Sequence, residues 1–184
     1  MAALVVAALS GVGDRPAWLA AILADRYRSA LPIVIGAFAA LAMASGVAAA
    51  LGAVLAPRLT PEAKQLMLAC ALLLQGAGSF WPAGTPERLT GWRAGALLTG
   101  FAGLLTLLLG DGVQFVVLTL AARTPVPALA AAGATLGALA PIAAAAVLGE
   151  AAWRRLPLVP ARRIIGAMFV LAALWIGLGA LRLL

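Results

Sequence analysis

The residues best placed to do chemistry are two aspartates, each set in a long apolar stretch beside residues that loosen a helix. Asp14 lies in Leu-Ser-Gly-Val-Gly-Asp-Arg-Pro at 9–16, and Asp111 in Leu-Leu-Leu-Gly-Asp-Gly-Val-Gln at 107–114. Pro16 has no N–H to give, and Gly11, Gly13, Gly110 and Gly112 resist helix formation. In a membrane span a charged side chain costs a few kcal/mol, and freed backbone groups must face protein or water. A carboxylate held there can bind a cation or take up and release a proton. Arg15, the one basic residue inside a span, is expected as a counter-ion or gate. Gln114, one turn beyond Asp111, can donate and accept at the same point. Ser10, Ser45, Gln75, Thr106 and Thr119 are weaker candidates, because small polar residues often only join helices. The bland alternative has Asp14 pairing with Arg15 and Asp111 with Gln114 at local kinks. Two acids in equivalent settings favour an ion or proton pathway.

Composition supports a membrane setting. Of 184 residues, 65% are hydrophobic and 10% charged, where a soluble domain carries roughly a quarter charged. The surface itself must be apolar, so the lipid bilayer is the solvent. The net charge of +7 does not imply nucleic acid, because the 13 basic residues are scattered between apolar runs without a basic stripe. With no His in the chain, His-ligated metals, His-based triads and His relays are excluded. Cys70, the single cysteine, lies in an apolar run and reads as a small buried hydrophobe. The chain opens on an apolar run without a basic n-region, so the first span is expected to remain in the mature protein.

Six apolar segments are separable, near Ala2–Ala24, Ala30–Leu55, Ala63–Trp81, Ala94–Ala122, Val126–Ala152 and Pro160–Arg182. Each reaches the roughly 17–25 residues needed to cross a bilayer as a helix. From Gly13-Asp14 to Gly110-Asp111 the offset is 97, and at that offset Arg26 meets Arg123, Gly36 meets Gly133, and Leu51-Gly52 meets Leu148-Gly149. The expected fold is therefore all-α, a polytopic membrane protein of six transmembrane helices in two three-helix repeats. The repeats span 1–82 and 94–184, joined by a linker at 83–93. An odd number of spans per repeat makes the copies inverted, an architecture that places sites at the repeat interface near the midplane. Asp14 and Asp111 are then expected to face each other there. Gly36 with Ala40, and Gly133 with Gly137, read as close helix packing.

Basic residues orient the chain. Arg26, Arg28, Arg88, Arg93, Arg154, Arg155, Arg162 and Arg163 fall on one side, and Arg58, Lys64, Arg123 and Arg182 on the other. The positive-inside tendency then places the odd-numbered loops in the cytoplasm and both termini outside. Enzyme chemistry has little support: two intramembrane carboxylates could act as acid and base, but no nucleophile, metal motif or substrate groove accompanies them. No cofactor is implied.

The double Gly-Asp signature, the three-plus-three repeat and the Ala/Gly-rich second and fifth spans resemble the transmembrane protein 165 family, over nearly the whole chain. Its members are cation/proton exchangers of Golgi, chloroplast and bacterial membranes, linked to calcium and manganese. The family motif is Glu-x-Gly-Asp-(Lys/Arg)-(Ser/Thr), once per repeat, often followed by Gln in bacterial members. Here Gly13, Asp14 and Arg15 match the first copy, with Gly11 at the glutamate and Pro16 at the hydroxyl position. Gly110, Asp111 and Gln114 match the second, with Leu108, Gly112 and Val113 at the remaining positions. The resemblance implies a multi-pass protein of the bacterial inner membrane, an antiporter-like secondary transporter of a divalent cation and protons. It places the metal on Asp14 and Asp111. Both motif glutamates are absent, so the site counts formally −1, with Arg15, where two complete motifs would give −2. The alternative is a degenerate, non-transporting membrane partner or scaffold. Homo-oligomers are compatible with either.

Overall fold

The computed structural model describes residues 1–81, 83–92 and 94–181. Pro82, Arg93, Arg182 and Leu184, named above, lie outside the described residues. Among the described residues eight α-helices run in the order α1 (Ala2–Ser10), α2 (Arg15–Tyr27), α3 (Leu31–Leu55), α4 (Pro61–Gly78), α5 (Gly95–Leu109), α6 (Gly112–Ala121), α7 (Pro127–Arg155) and α8 (Leu158–Ala180). No strand occurs among the described residues.

The helix starts follow local chemistry. Proline stands in the first turn of α2, α3, α4 and α7, where its missing N–H leaves no intrahelical bond unmade. Thr60 caps α4 by accepting from the Ala63 N–H at 3.2 Å. Among the described residues three helices are long and apolar enough to cross a membrane alone: α3 with its 3-10 extension to Arg58, α7 and α8. The pairs α1–α2 and α5–α6 qualify when each is taken as one span, bent by 62° and 72°. The first and fourth expected segments are thus broken helices, split where Gly11–Asp14 and Gly110–Asp111 stand. The third is helical as α4, whose 18 residues include Glu62, Lys64 and Gln65. It is not among the helices apolar enough to span by length and composition.

The helices α3 and α7 form the centre, packing on each other. The first also carries α5 and α6, and the second α1 and α2, while α4 and α8 pair on the flank. Leu19, Leu23, Ile33, Leu41, Leu104 and Ile142 are fully buried, whereas Leu129, Val147, Leu171 and Trp175 face outward. This apolar exterior fits lipid as the solvent. Cys70 is on that exterior, not buried as expected, because the outer face of α4 tolerates a small apolar group equally well.

Small residues let backbones touch. Gly36 abuts the backbone of Leu97 and Phe101 in α5, and Gly133 abuts Ala3 and Leu4 in α1. Gly52 abuts Leu118, Ala121 and Ala122, and Gly149 abuts Asp25. At an offset of 97, Leu4 corresponds to Phe101 and Asp25 to Ala122, so contacts made by one half recur in the other.

Two features near the linker were not foreseen. At Gly149 (φ 74°, ψ 170°), α7 leaves helical geometry, and the freed Glu150 N–H donates to Asp25 Oδ2 at 2.8 Å. Arg26 donates to the carbonyls of Leu89, Thr90 and Trp92, and Arg88 pairs with Glu150 at 2.8 Å. The linker is thereby tied to the bundle from Arg88 to Trp92.

Candidate ion site

The first break begins where α1 ends at Gly11. Gly13 takes φ 70°, a left-handed conformation that glycine adopts without strain. Asp14 then stands extended (φ −87°, ψ 166°) as the N-cap of α2. The second break repeats this at the equivalent position: α5 ends at Gly110 and Asp111 (φ −88°, ψ 137°) is the N-cap of α6. The expected first and fourth spans, Ala2–Ala24 and Ala94–Ala122, are therefore not continuous helices through the aspartates. Both sit at a helix N-terminus, where the backbone N–H groups favour negative charge.

The two side chains differ in what they engage. Asp111 Oδ1 accepts from the N–H of Val113, the second residue of α6, at 3.3 Å. Asp14 makes no such bond to α2. The reason lies in the sequence, because Pro16 occupies the corresponding position and has no N–H. Asp14 instead pairs with Arg162 of α8, whose Nη1 is 3.4 Å from Asp14 Oδ1 and donates to the Gly13 carbonyl at 2.9 Å.

Asp14, Asp111 and Gln114 line one narrow cavity of about 20 Å³, walled also by Gly11, Pro16 and Ser45. That is room for about one water or one dehydrated small ion. Wider spaces of about 320 and 340 Å³ adjoin both aspartates, with Arg15 on the wall of each. Gly112 lines the first and Gly110 the second. Gln114 Oε1 is buried with no hydrogen-bond partner among the described residues, as is Ser10 Oγ on the wall of the first wide space. An acceptor oxygen without a donor, in the cavity that both carboxylates line, suits a cation. The cavity offers oxygen donors of the kind magnesium, calcium and manganese take. No group of three or more His, Cys, Asp or Glu that could hold a metal occurs among the described residues, so the two carboxylates stand without a third.

Of the sequence-level candidates, Asp14, Asp111, Gln114, Gly11 and Pro16 meet at the cavity, and Gly13 lies under the stem of Arg162. Arg15 is exposed at the start of α2 and is not the partner of Asp14. Gln75 places its Oε1 against Gly112. Thr106 and Thr119 bond the carbonyls of Gly103 and Val116 in their own helices. Sequence reasoning missed Arg162, counting it as a loop residue. Nothing in its local sequence separates it from Arg163, because its partner lies 148 positions away.

Broken apolar helices that bring paired carboxylates into a bundle interior are the construction of multi-pass membrane transporters. The chain belongs to the divalent cation/proton antiporter GDT1 family, whose model matches residues 1–87 and 96–183. It is similar to a putative manganese exporter of Vibrio cholerae serotype O1, strain ATCC 39541. The two are 27% identical over 172 residues, covering 91% of this chain and 84% of that protein. No solved structure matches.

Proposed function

We propose that this protein exchanges a divalent cation, manganese or calcium, for protons by alternating access, with Asp14 and Asp111 as the carrier carboxylates. The observation that carries this reading is that two broken helices deliver both carboxylates to one ion-sized cavity beside the unpartnered Gln114 oxygen. One divalent cation neutralises two carboxylates, and so do two protons, which makes each loaded site cheap to move through an apolar interior. Gln114 adds a neutral oxygen, and the glycine-broken helix ends leave backbone carbonyls free to join it. Arg15, on the walls of the wide spaces, is placed to tune the entry of cations.

The frame for this chemistry is six spans in two inverted repeats, residues 1–82 and 94–184, in the bacterial inner membrane with both termini outside the cytoplasm. Three facts support the duplication: the recurrence of glycine contacts at an offset of 97, the two breaks ending in Gly-Asp, and a family match in two nearly equal stretches. In such a frame α4 crosses as the third span beside α8.

A second reading, a non-transporting membrane partner or scaffold, is favoured by one observation. A Cβ on Gly11, where the motif glutamate would stand, would lie 2.5 Å from Pro141 Cγ, so that place is filled. Reconstituted protein in proteoliposomes decides between the two. Manganese or calcium uptake driven by an imposed pH gradient, and abolished in the Asp14→Asn, Asp111→Asn double variant, is expected. Absence of flux with every divalent cation would establish the scaffold instead.

A further inference from the structure

We infer that Arg162 is a tethered competitor of the transported cation, holding Asp14 while the site is empty and releasing it when the cation binds. This rests on the transport reading above. The side chain reaches from α8 with 14% of its surface exposed, against 20% for Asp14. Among the described residues it makes two hydrogen bonds, to Gly13 O and Asp14 Oδ1, both from Nη1, while Nε is buried without a partner there. A guanidinium that is only structural would engage more of its five donors, typically in a bidentate fork. This one is held by a single nitrogen, and one of the two oxygens it engages belongs to the Asp14 carboxylate that lines the ion cavity.

Charge balance gives the direction. Asp14 and Asp111 count −2, and Arg162 reduces this to −1. A divalent cation brings the pair to zero only if the guanidinium withdraws, since the two cations repel and cannot share the same oxygens. There is space for that movement, because Arg162 also lines a separate cavity of about 190 Å³ beside Trp18, Phe80 and Trp81. Gly13 permits the seated position: a Cβ there would lie 3.3 Å from Arg162 Cδ. At an offset of 97 the counterpart of Arg162 is the neutral Gln65, so only one half carries this device.

The test uses full-length protein. Manganese binding is read in detergent from the loss of the aqueous Mn²⁺ EPR signal, and KM and turnover are read in proteoliposomes, for wild type, R162Q and R162K. In R162Q the dissociation constant and KM should fall about tenfold, because the competitor is gone. Turnover should fall at least tenfold, because a cation held more tightly, with no guanidinium to displace it, leaves the site more slowly. R162K should keep a wild-type KM. If R162Q does not fold, the wild type still decides: phenylglyoxal modification of Arg162, read by peptide mass spectrometry, should rise severalfold when Mn²⁺ is added. Unchanged affinity in R162Q, or affinity and turnover lost together, overturns the inference while wild-type flux leaves the transport reading standing. Modification indifferent to Mn²⁺ also overturns it. Neither binding nor flux in any form of the protein removes both.

Discussion

Restoring the motif glutamate at Gly11 should fail alone and succeed once Pro141 is removed. A Cβ at position 11 would lie 2.5 Å from Pro141 Cγ and 3.5 Å from its Cβ, whereas carbon atoms rest at about 3.5–4.0 Å. A pyrrolidine ring cannot rotate aside, so α1 and α7 must part by about 1 Å. Overpacking of this kind costs about 1–3 kcal/mol. The position equivalent to Pro141 at an offset of 97 is Ala44, so the other half carries a small residue there. Pro141→Ala clears the space and restores an N–H inside α7. A double-mutant cycle over Gly11→Glu and Pro141→Ala should therefore give a coupling of about 1–3 kcal/mol in favour of the pair. Thermal or denaturant unfolding in detergent measures the stability, and Mn²⁺ titration of the same samples measures the site. With a third carboxylate at the cavity, the dissociation constant should fall at least tenfold, about 1.4 kcal/mol. Gly11→Glu as stable as wild type, or two effects that add within about 0.5 kcal/mol, would refute the steric account.

Three further outcomes follow from the same geometry. Asp14→Asn and Asp111→Asn should each abolish proton-driven cation flux with the protein still folded, since Asn cannot carry a proton between states; uptake in proteoliposomes checks it, and normal flux in the double variant would end the mechanism. Gly137→Ala should destabilise by about 1–3 kcal/mol, because its Cβ would run into the Leu4 carbonyl; Gly46→Ala, with nothing within 4 Å, should stabilise by up to about 1 kcal/mol, and comparing their unfolding midpoints tests whether close packing fixes α1 on α7. A periplasm-active reporter fused after Leu184 should be active in a bacterial host, and activity of a cytoplasm-only reporter there would reverse the proposed orientation.

How much of this was legible in the sequence follows from how far each interaction reaches along the chain. Lipid as the solvent is recorded in contiguous apolar runs, so the expected Val126–Ala152 segment lies within α7, Pro127–Arg155, but for its first residue, the N-cap. The breaks were legible too, since glycine and proline act on their own backbone, and α1 and α5 stop at Gly11 and Gly110. Sequence could even have given the unequal behaviour of the two aspartates, because Pro16 denies Asp14 the cap bond that Val113 gives Asp111. What it could not give were pairings between distant helices. Asp25 serves the Glu150 N–H across 125 positions, and Arg162 reaches Asp14 across 148. Each of these charged residues looks, locally, like any other at the end of a span. A positive-inside count treats arginine as a reporter of topology and is blind to one that folds inward. The physical hint lay in the carboxylate itself. An acid near the middle of an apolar bundle, denied its helix cap by proline, needs a cation from somewhere, and exposed Arg15 does not supply it.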